Sequence, residues 1–302
     1  MAREFENIIY EVDEGRARIT LNRPERRNAL SRQLLAEFEM ALWDADNDKR
    51  VHCVIIRGAG PSFCSGYDLL GMSDFSDAPG SGGGGEIAED KPVRRGISTI
   101  DDDSWHLERG QERLRVLWDM HKPTIAQLHG HCLAGGTDVA FFCDMVIAAD
   151  DALIGFPPAR NLGSLPNSMW LYHCGPQWAK RITMTGDLIS GEDAALIGLV
   201  MKSVPAEVLE REVEGLADRL ALIDPDLLSS NKRVINMGME LMGTRTLQRY
   251  AAETDARAHR APSTKEYFKA VKEGGLRGAF AERDAKFGDN RVRVREPELR
   301  DE

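Results

Sequence analysis

The sequence has no Cys-x-x-Cys pair. Its five cysteines, Cys53, Cys64, Cys132, Cys143 and Cys174, stand singly, at spacings that suit neither zinc nor a disulfide framework. Reduced, buried thiols are expected instead. A long apolar run is also missing, since no segment approaches the roughly 20 residues that cross a bilayer. The first residues, MAREFENIIYEVDEGRARI, carry acids from Glu4 onward and no apolar stretch of signal length. A cytoplasmic protein is expected. Bases are in the minority, 39 against 49 acids, for a formal net charge of -10. That balance argues against a general nucleic-acid surface and leaves room for a local basic patch on a phosphorylated small ligand. GAGPSFCSG is glycine-rich but lacks the GxGxxG spacing, so no dinucleotide loop is read, and neither a metal nor a redox cofactor is expected.

What is present suits a globular chain. Of 302 residues, 42% are hydrophobic and 29% charged, enough for a sizeable core in one large domain with an appendage. NIIYEVDEGRARITL reads as two strands about Asp13-Glu14-Gly15. Ala17, Ile19 and Leu21 alternate with Arg16, Arg18 and Thr20, which predicts one apolar and one polar face. An amphipathic helix follows, with Ser31 as N-cap and Leu34, Leu35, Phe38, Leu42 and Trp43 on one face. VHCVIIRGAG is a buried strand ending in glycines, and strand-helix-strand order suggests an α/β sheet with crossover helices. The Gly-, Ser-, Asp- and Pro-rich stretch 71–104 predicts a mobile loop, either a surface insertion or a lid. A helix is expected from Trp105 to His121. Further strands and helices run to about residue 205. Three helical patterns then make residues 206–302 a helical appendage, with a charged, frayed tail from Asn290.

Two glycine loops point to chemistry. In GAGPSFCSGYDLLGM a strand ends in glycines and Gly66 precedes Tyr67. In LAGGTDVAFF a strand again ends in glycines and a helix starts near Gly135. The first N–H groups of a helix lack internal partners and lie at its positive end, and glycine lets a ligand approach them. Two such loops side by side can aim two N–H groups at one oxygen and stabilise an enolate or a tetrahedral oxyanion.

LNRPERRNAL, RGAGPSFCSGYDL, HGHCLAGGTDVAFFCDMVIAADDALIGFPPARNLGSLP, AKRITMTGDLISGEDAALIGLV and GLRGAFAERDAKFGD occur in this order over about residues 5–288. In these stretches the chain resembles the enoyl-CoA hydratase/isomerase family, the crotonase superfamily. The resemblance implies a spiral of repeated strand-strand-helix units (residues 1–205). It also implies a C-terminal helical region that builds homotrimers, often paired into hexamers. It implies an acyl-CoA thioester substrate, with no cofactor beyond the coenzyme A that the substrate brings. The backbone N–H groups of Tyr67 and Gly135 would hold the thioester oxygen. Coenzyme A would lie along Arg26, Arg27, Ala29 and Ser65. Lys265, Phe268 or Lys269 could reach its nucleotide end, in the same subunit or a neighbouring one.

The chain also departs from the family pattern. A hydratase of this family places two glutamates around one water. One of those positions is Asp138 here and the other is Ala159, so the second acid is missing. Asn167, eight residues past Ala159, cannot act as a base at neutral pH and reads as a helix cap. Arg160 is expected to pair with Asp138 and lower its pKa. Asp68 is read as fixing the first loop, Asp144 and Glu192 as structural acids, and His129 and His131 as core histidines rather than bases. The Tyr67 ring is expected to line the acyl pocket, with its hydroxyl as catalyst the less favoured reading. Phe141, Phe142, Met169 and Trp170 fit either the pocket or the core. The sequence thus points to an enoyl-CoA hydratase-like lyase. Double-bond isomerisation on the same scaffold, or acyl-CoA binding with little catalysis, are the alternatives.

Overall fold

The computed structural model describes residues 4–69 and 99–298. β1 (Ile8–Asp13) and β2 (Arg16–Leu21) form an antiparallel hairpin. Among the described residues there follow β3 (Cys53–Gly58), β4 (Thr124–Leu128), β5 (His131–Leu133), β6 (Met145–Ala149), β7 (Leu153–Gly155), β8 (Leu188–Ser190) and β9 (Lys202–Val204). They make a six-stranded sheet, β1-β2-β3-β4-β6-β9, parallel beyond the hairpin, and a three-stranded sheet, β5-β7-β8. The chain alternates between the two. β4 lies in the large sheet and β5 in the small one, and β6 and β7 repeat the step. Each switch needs a sharp corner. At the first of them, Gly130 takes φ +55°, and a Cβ there would stand 2.1 Å from the Pro61 carbonyl oxygen.

The helices are α1 (Arg32–Asn47), α2 (Ile100–Leu114), α3 (Val116–Asp119), α4 (Gly135–Phe142), α5 (Met169–Thr185), α6 (Gly191–Leu196), α7 (Leu209–Ala221), α8 (Pro225–Leu241), α9 (Thr244–Ala258) and α10 (Pro262–Asp284). Ser31 caps α1 by accepting the Leu34 N–H. Leu34, Phe38 and Leu42 are fully buried beneath α1, each contributing about 1.5–3 kcal/mol of burial. Trp43, expected on that face, is 44% exposed. The helix expected from Trp105 starts earlier, at Ile100, because Thr99 accepts the Asp102 N–H and Asp101, Asp102 and Asp103 fill the first turn, where acids complement the helix dipole. The expected mobile loop therefore ends sooner than 104, and its residues 71–98 lie outside the described ones. α10 was not foreseen as a helix, since Gly274-Gly275 interrupts its pattern and Gly275 takes φ +73° within it.

The sheet is covered on both faces, as a parallel sheet requires. Ala17, Ile19 and Leu21 are fully buried, but the face expected to be polar is covered too. Arg16 is only 4% exposed, because α7 lies over it and supplies Glu214 and Asp218 as partners. Leu209, Val213 and Ala217 of α7 join the main core. The C-terminal helices then fold back. Leu162 packs with Tyr267, Val271 and Ala279 of α10, and Leu69 lies against the same cluster. The tail is not frayed where it follows α10: Leu188 exchanges hydrogen bonds with Asn290 and Val292, and Val292 is 5% exposed.

Candidate active site

Asn28 builds the first glycine loop. It is fully buried, and its Nδ2 donates to the carbonyls of Ala59 and Ser62, both at 2.8 Å. The loop is then sewn to the second one. Cys64 N–H donates to the His131 carbonyl at 3.0 Å, and Leu133 N–H donates to the Cys64 carbonyl at 2.9 Å. Leu30 holds the residues on either side of Tyr67: its N–H donates to Gly66 O at 2.8 Å and its carbonyl accepts from Asp68 N–H at 3.1 Å. In a parallel bridge of this kind the middle residue points its own N–H away from the partner, so the Tyr67 N–H faces the opposite side.

That side is the start of α4. A Cβ on Gly66, which takes φ +104°, would stand 3.4 Å from the Gly135 nitrogen and 2.9 Å from the Ala134 Cβ. The two loops are therefore neighbours, as expected. Ala134 takes φ +49° and ψ -119°, an unfavourable conformation for a residue with a Cβ, and its carbonyl is held by Thr137 N–H and Oγ1. This turn presents Gly135 as the first residue of a helix whose eight residues are all buried.

Asp138 lies one turn along α4 and is fully buried. Its Oδ2 accepts from the Tyr67 hydroxyl and from Gln111 Nε2, both at 3.0 Å. Its backbone carbonyl accepts from Asn167 Nδ2 at 3.4 Å. Burial pushes the carboxyl up to about 6, against the opposing pull of the Gln111, Tyr67 and Asn167 hydrogen bonds. Burial and the adjacent carboxylate hold the Tyr67 hydroxyl well above its ordinary value.

The expected Arg160–Asp138 pair does not form. Arg160 turns the other way, to Asp187 at 2.8 Å, Asp284 at 2.7 Å and Asn290, with its guanidinium 3.7 Å above the Phe287 ring. It ties the turn at Pro157–Arg160 to the segment after α10 and leaves Asp138 with a raised rather than a lowered pKa. Ala159, in the same turn, packs against the main core. Asn167 does cap: its Oδ1 accepts the Met169 N–H at 2.7 Å. Asp68 pairs with Arg23 at 2.8 Å, and Asp144 with Lys232 at 2.8 Å. His129 lies against the Gly60 carbonyl at 2.9 Å. Glu192 pairs with Arg295 at 3.1 Å. Phe141, Phe142, Met169 and Trp170 are core, each no more than 1% exposed.

A profile of the enoyl-CoA hydratase/isomerase family matches residues 11–81 and 95–290. The chain belongs to that family. It is 32% identical to the crotonyl-CoA hydratase of Syntrophomonas wolfei over 78% of this chain and 84% of that protein. An enoyl-CoA hydratase structure from Mycobacterium smegmatis superposes with a TM-score of 0.84 at 32% identity, covering 95% of this chain and 96% of that one. An enoyl-CoA hydratase/isomerase structure from Xanthobacter autotrophicus gives a TM-score of 0.82 at 34% identity, covering 94% and 99%. The alternating strands described above are thus the crotonase spiral.

Several residues named for coenzyme A in this hydratase/isomerase-family chain lie together. Ser65 N–H donates to the Arg27 carbonyl at 3.0 Å, and Arg26 and Arg27 are exposed beside it. Ala29 is buried just behind them. Lys265 and Lys269 are exposed on α10, while Phe268 packs partly against the Leu162–Tyr267 cluster. Two features escaped the sequence reading. One is Gln111, delivered by α2. The other is a buried trio, in which His259 Nδ1 lies 2.8 Å from Asp103 and its Nε2 lies 3.5 Å from Asp255. Asp255 also accepts the Ser164 N–H at 2.7 Å, so α9 grips the loop after Ala159. The backbone carbonyls that Asn28 holds lie 31 and 34 positions away. The partners of Gln111 and His259 lie 27 and 156 positions away, and no local signal reaches that far.

Proposed function

We propose that the protein hydrates 2-enoyl-CoA thioesters. The observation that carries this reading is the side-by-side placement of Tyr67 and Gly135, with Asp138 one helical turn beyond. The Tyr67 and Gly135 N–H groups hold the thioester oxygen and take up the charge that develops there as water adds to the double bond. Asp138, with its carboxyl pushed up to about 6, is poised near neutral pH to exchange a proton. Arg26 and Arg27 attract the phosphates of coenzyme A, with Ser65 and Ala29 lining the path and α10 offering Lys265, Phe268 and Lys269 at its end. The reaction uses no metal and no cofactor other than the coenzyme A of its substrate.

The test follows the loss of conjugated-thioester absorbance with crotonyl-CoA and a longer 2-enoyl-CoA. Turnover should fall about 10²- to 10⁴-fold in Asp138→Asn. An Asp138→Asn variant as fast as wild type would overturn the role given to the acid. Ala159 supports a second reading, double-bond isomerisation, which one proton shuttle can perform. Deuterium wash-in with double-bond migration and no net hydration would select it.

No helix among the described residues is long and apolar enough to cross a membrane, and the reading places the protein in the cytoplasm. It also makes the protein a homotrimer, or a hexamer of paired trimers. α8 leaves Leu227, Val234, Ile235, Met237 and Leu241 more than half exposed, an apolar stripe that association would cover. Sedimentation of wild type and of Leu241→Asp measures this directly.

A further inference from the structure

Hydration moves two protons, one off water and one onto carbon. The position for the second acid is Ala159, so the other proton must be handled elsewhere. A group already stands in place. Tyr67 donates its hydroxyl to Asp138 Oδ2 at 3.0 Å, and Gln111 Nε2 lies 3.0 Å from that oxygen and 3.3 Å from the phenol oxygen. The Tyr67 ring lies against Gly135, where a Cβ would stand 2.8 Å from ring carbons Cδ2 and Cε2. One residue thus contributes a backbone N–H to the hole and a hydroxyl to the acid. Oδ2 is doubly engaged, while Asp138 Oδ1 is buried with no partner among the described residues. Oδ1 is therefore the oxygen left to accept from a water. Asp138 and Gln111 are buried, whereas Tyr67 is partly exposed. The side chain of aspartate is one methylene shorter than that of glutamate, which leaves room for a phenol between carboxylate and substrate.

We propose that the Tyr67 hydroxyl is the second proton-handling group of this site, acting with Asp138 as a catalytic dyad. The inference rests on the hydratase reading given above. The Asp138 carboxylate takes a proton from water as the water oxygen bonds to C3 of the enoyl thioester. The C2–C3 π pair moves toward the thioester oxygen, which the Tyr67 and Gly135 N–H groups hold. The enolate then collapses, C2 takes the Tyr67 hydroxyl proton, and a phenolate remains. The proton gained on Asp138 Oδ1 is returned to that phenolate when the carboxyl turns to bring Oδ1 against the Tyr67 oxygen. The elements of one water have been added and the dyad is restored with no outside proton.

Tyr67→Phe keeps the ring and the backbone N–H and removes only the hydroxyl. Three quantities are measured in wild type and variant: hydration of crotonyl-CoA, deuterium wash-in at C2 of butyryl-CoA, and binding of butyryl-CoA. The expected result is a loss of about 10²- to 10⁴-fold in kcat and in wash-in, with thioester binding and melting temperature unchanged. The acid limb of the pH profile should also move up, because Asp138 loses a donor. Wild-type kcat and wash-in in Tyr67→Phe overturn the proposal and leave the hydratase reading intact. A wild type inert towards both thioesters overturns both. If Tyr67→Phe does not fold, 3-fluorotyrosine at position 67 replaces it. A more acidic phenol should then change the rate of deuterium wash-in at C2, and an unchanged rate overturns the proposal.

Discussion

Gln111 and Asp138 meet at 3.0 Å, with both side chains closed off from solvent, and this hydrogen bond joins α2 to α4 at the site. The donor steadies the ionised form of a carboxyl that burial has pushed up to about 6. Removing it strips the acid of one of its stabilising contacts. Gln111→Leu should therefore shift the acid limb of the pH–rate profile upward, away from 6, and reduce the rate most at the acid end. The pH dependence of kcat for crotonyl-CoA, measured in both proteins, checks the direction.

Gly135 and Gly136 should respond differently to the same added methyl group. A Cβ on Gly135 meets the Tyr67 ring at 2.8 Å, and that ring can swing aside. A Cβ on Gly136 meets the Cys64 carbonyl oxygen at 2.7 Å, which is backbone fixed in the bridge between the loops. Gly135→Ala should keep its melting temperature within a few degrees and lose about 10²-fold in kcat through misplacement. Gly136→Ala should lose roughly 1–3 kcal/mol of stability. Thermal melts beside kinetics separate the two.

The His259 trio makes stability depend on pH. Burial alone would lower the imidazole pKa, but the Asp103 hydrogen bond and the charges of Asp255 and Asp103 outweigh it, and the net direction is up. A folded-state pKa above the unfolded one stabilises fully below the unfolded value of about 6.5, and the effect is lost as pH rises through the folded value. Asp255, pushed up to about 7 by burial, pulls in the same direction. The stability gap between wild type and His259→Gln should be widest near pH 6 and narrow steadily towards pH 9. Urea titrations at several pH values measure it, and a gap that widened with pH would contradict the assignment.

Arg160 holds the turn at Pro157–Arg160 without touching Asp138. Arg160→Met should cost Asp187 and Asp284 one guanidinium partner each while Arg181 and Arg283 remain, a loss of about 1.5–3 kcal/mol for a hydrogen bond to a charged group. The Asp138-dependent acid limb should stay where it is in the folded fraction, because Arg160 and Asp138 do not meet. A melt and a pH profile on the same preparation test both halves.

The parts of this site that were legible in the sequence are those made by short-range backbone chemistry. The glycines at 66 and 135, the cap at Ser31 and the capping of α5 by Asn167 each act within a few residues. Tyr67 was legible as a backbone donor and only weakly as a hydroxyl, because its ring direction depends on how closely Gly135 approaches. Arg160 was misassigned for a related reason. Its neighbours in sequence say where its backbone lies, but not that Asp187 and Asp284 compete for its guanidinium. The buried Arg16 was read as a surface residue because the acids that satisfy it come from α7, almost two hundred positions later. The alternation in β2 was real, and what it could not reveal was a second covering layer made of charge pairs.

The turn that runs from Pro157 to Ser164 is finished by residues synthesised long after it. Asp255 binds the Ser164 N–H, Arg160 reaches Asp284 and Asn290, and Leu162 waits for Tyr267 and Val271. The glycine loops, by contrast, need only the chain up to about β7. During synthesis the two glycine loops can thus close while the turn from Pro157 to Ser164 still lacks its partners. The molecule sets from its glycine loops outward, and the helices that arrive last decide when the turn beside them is complete.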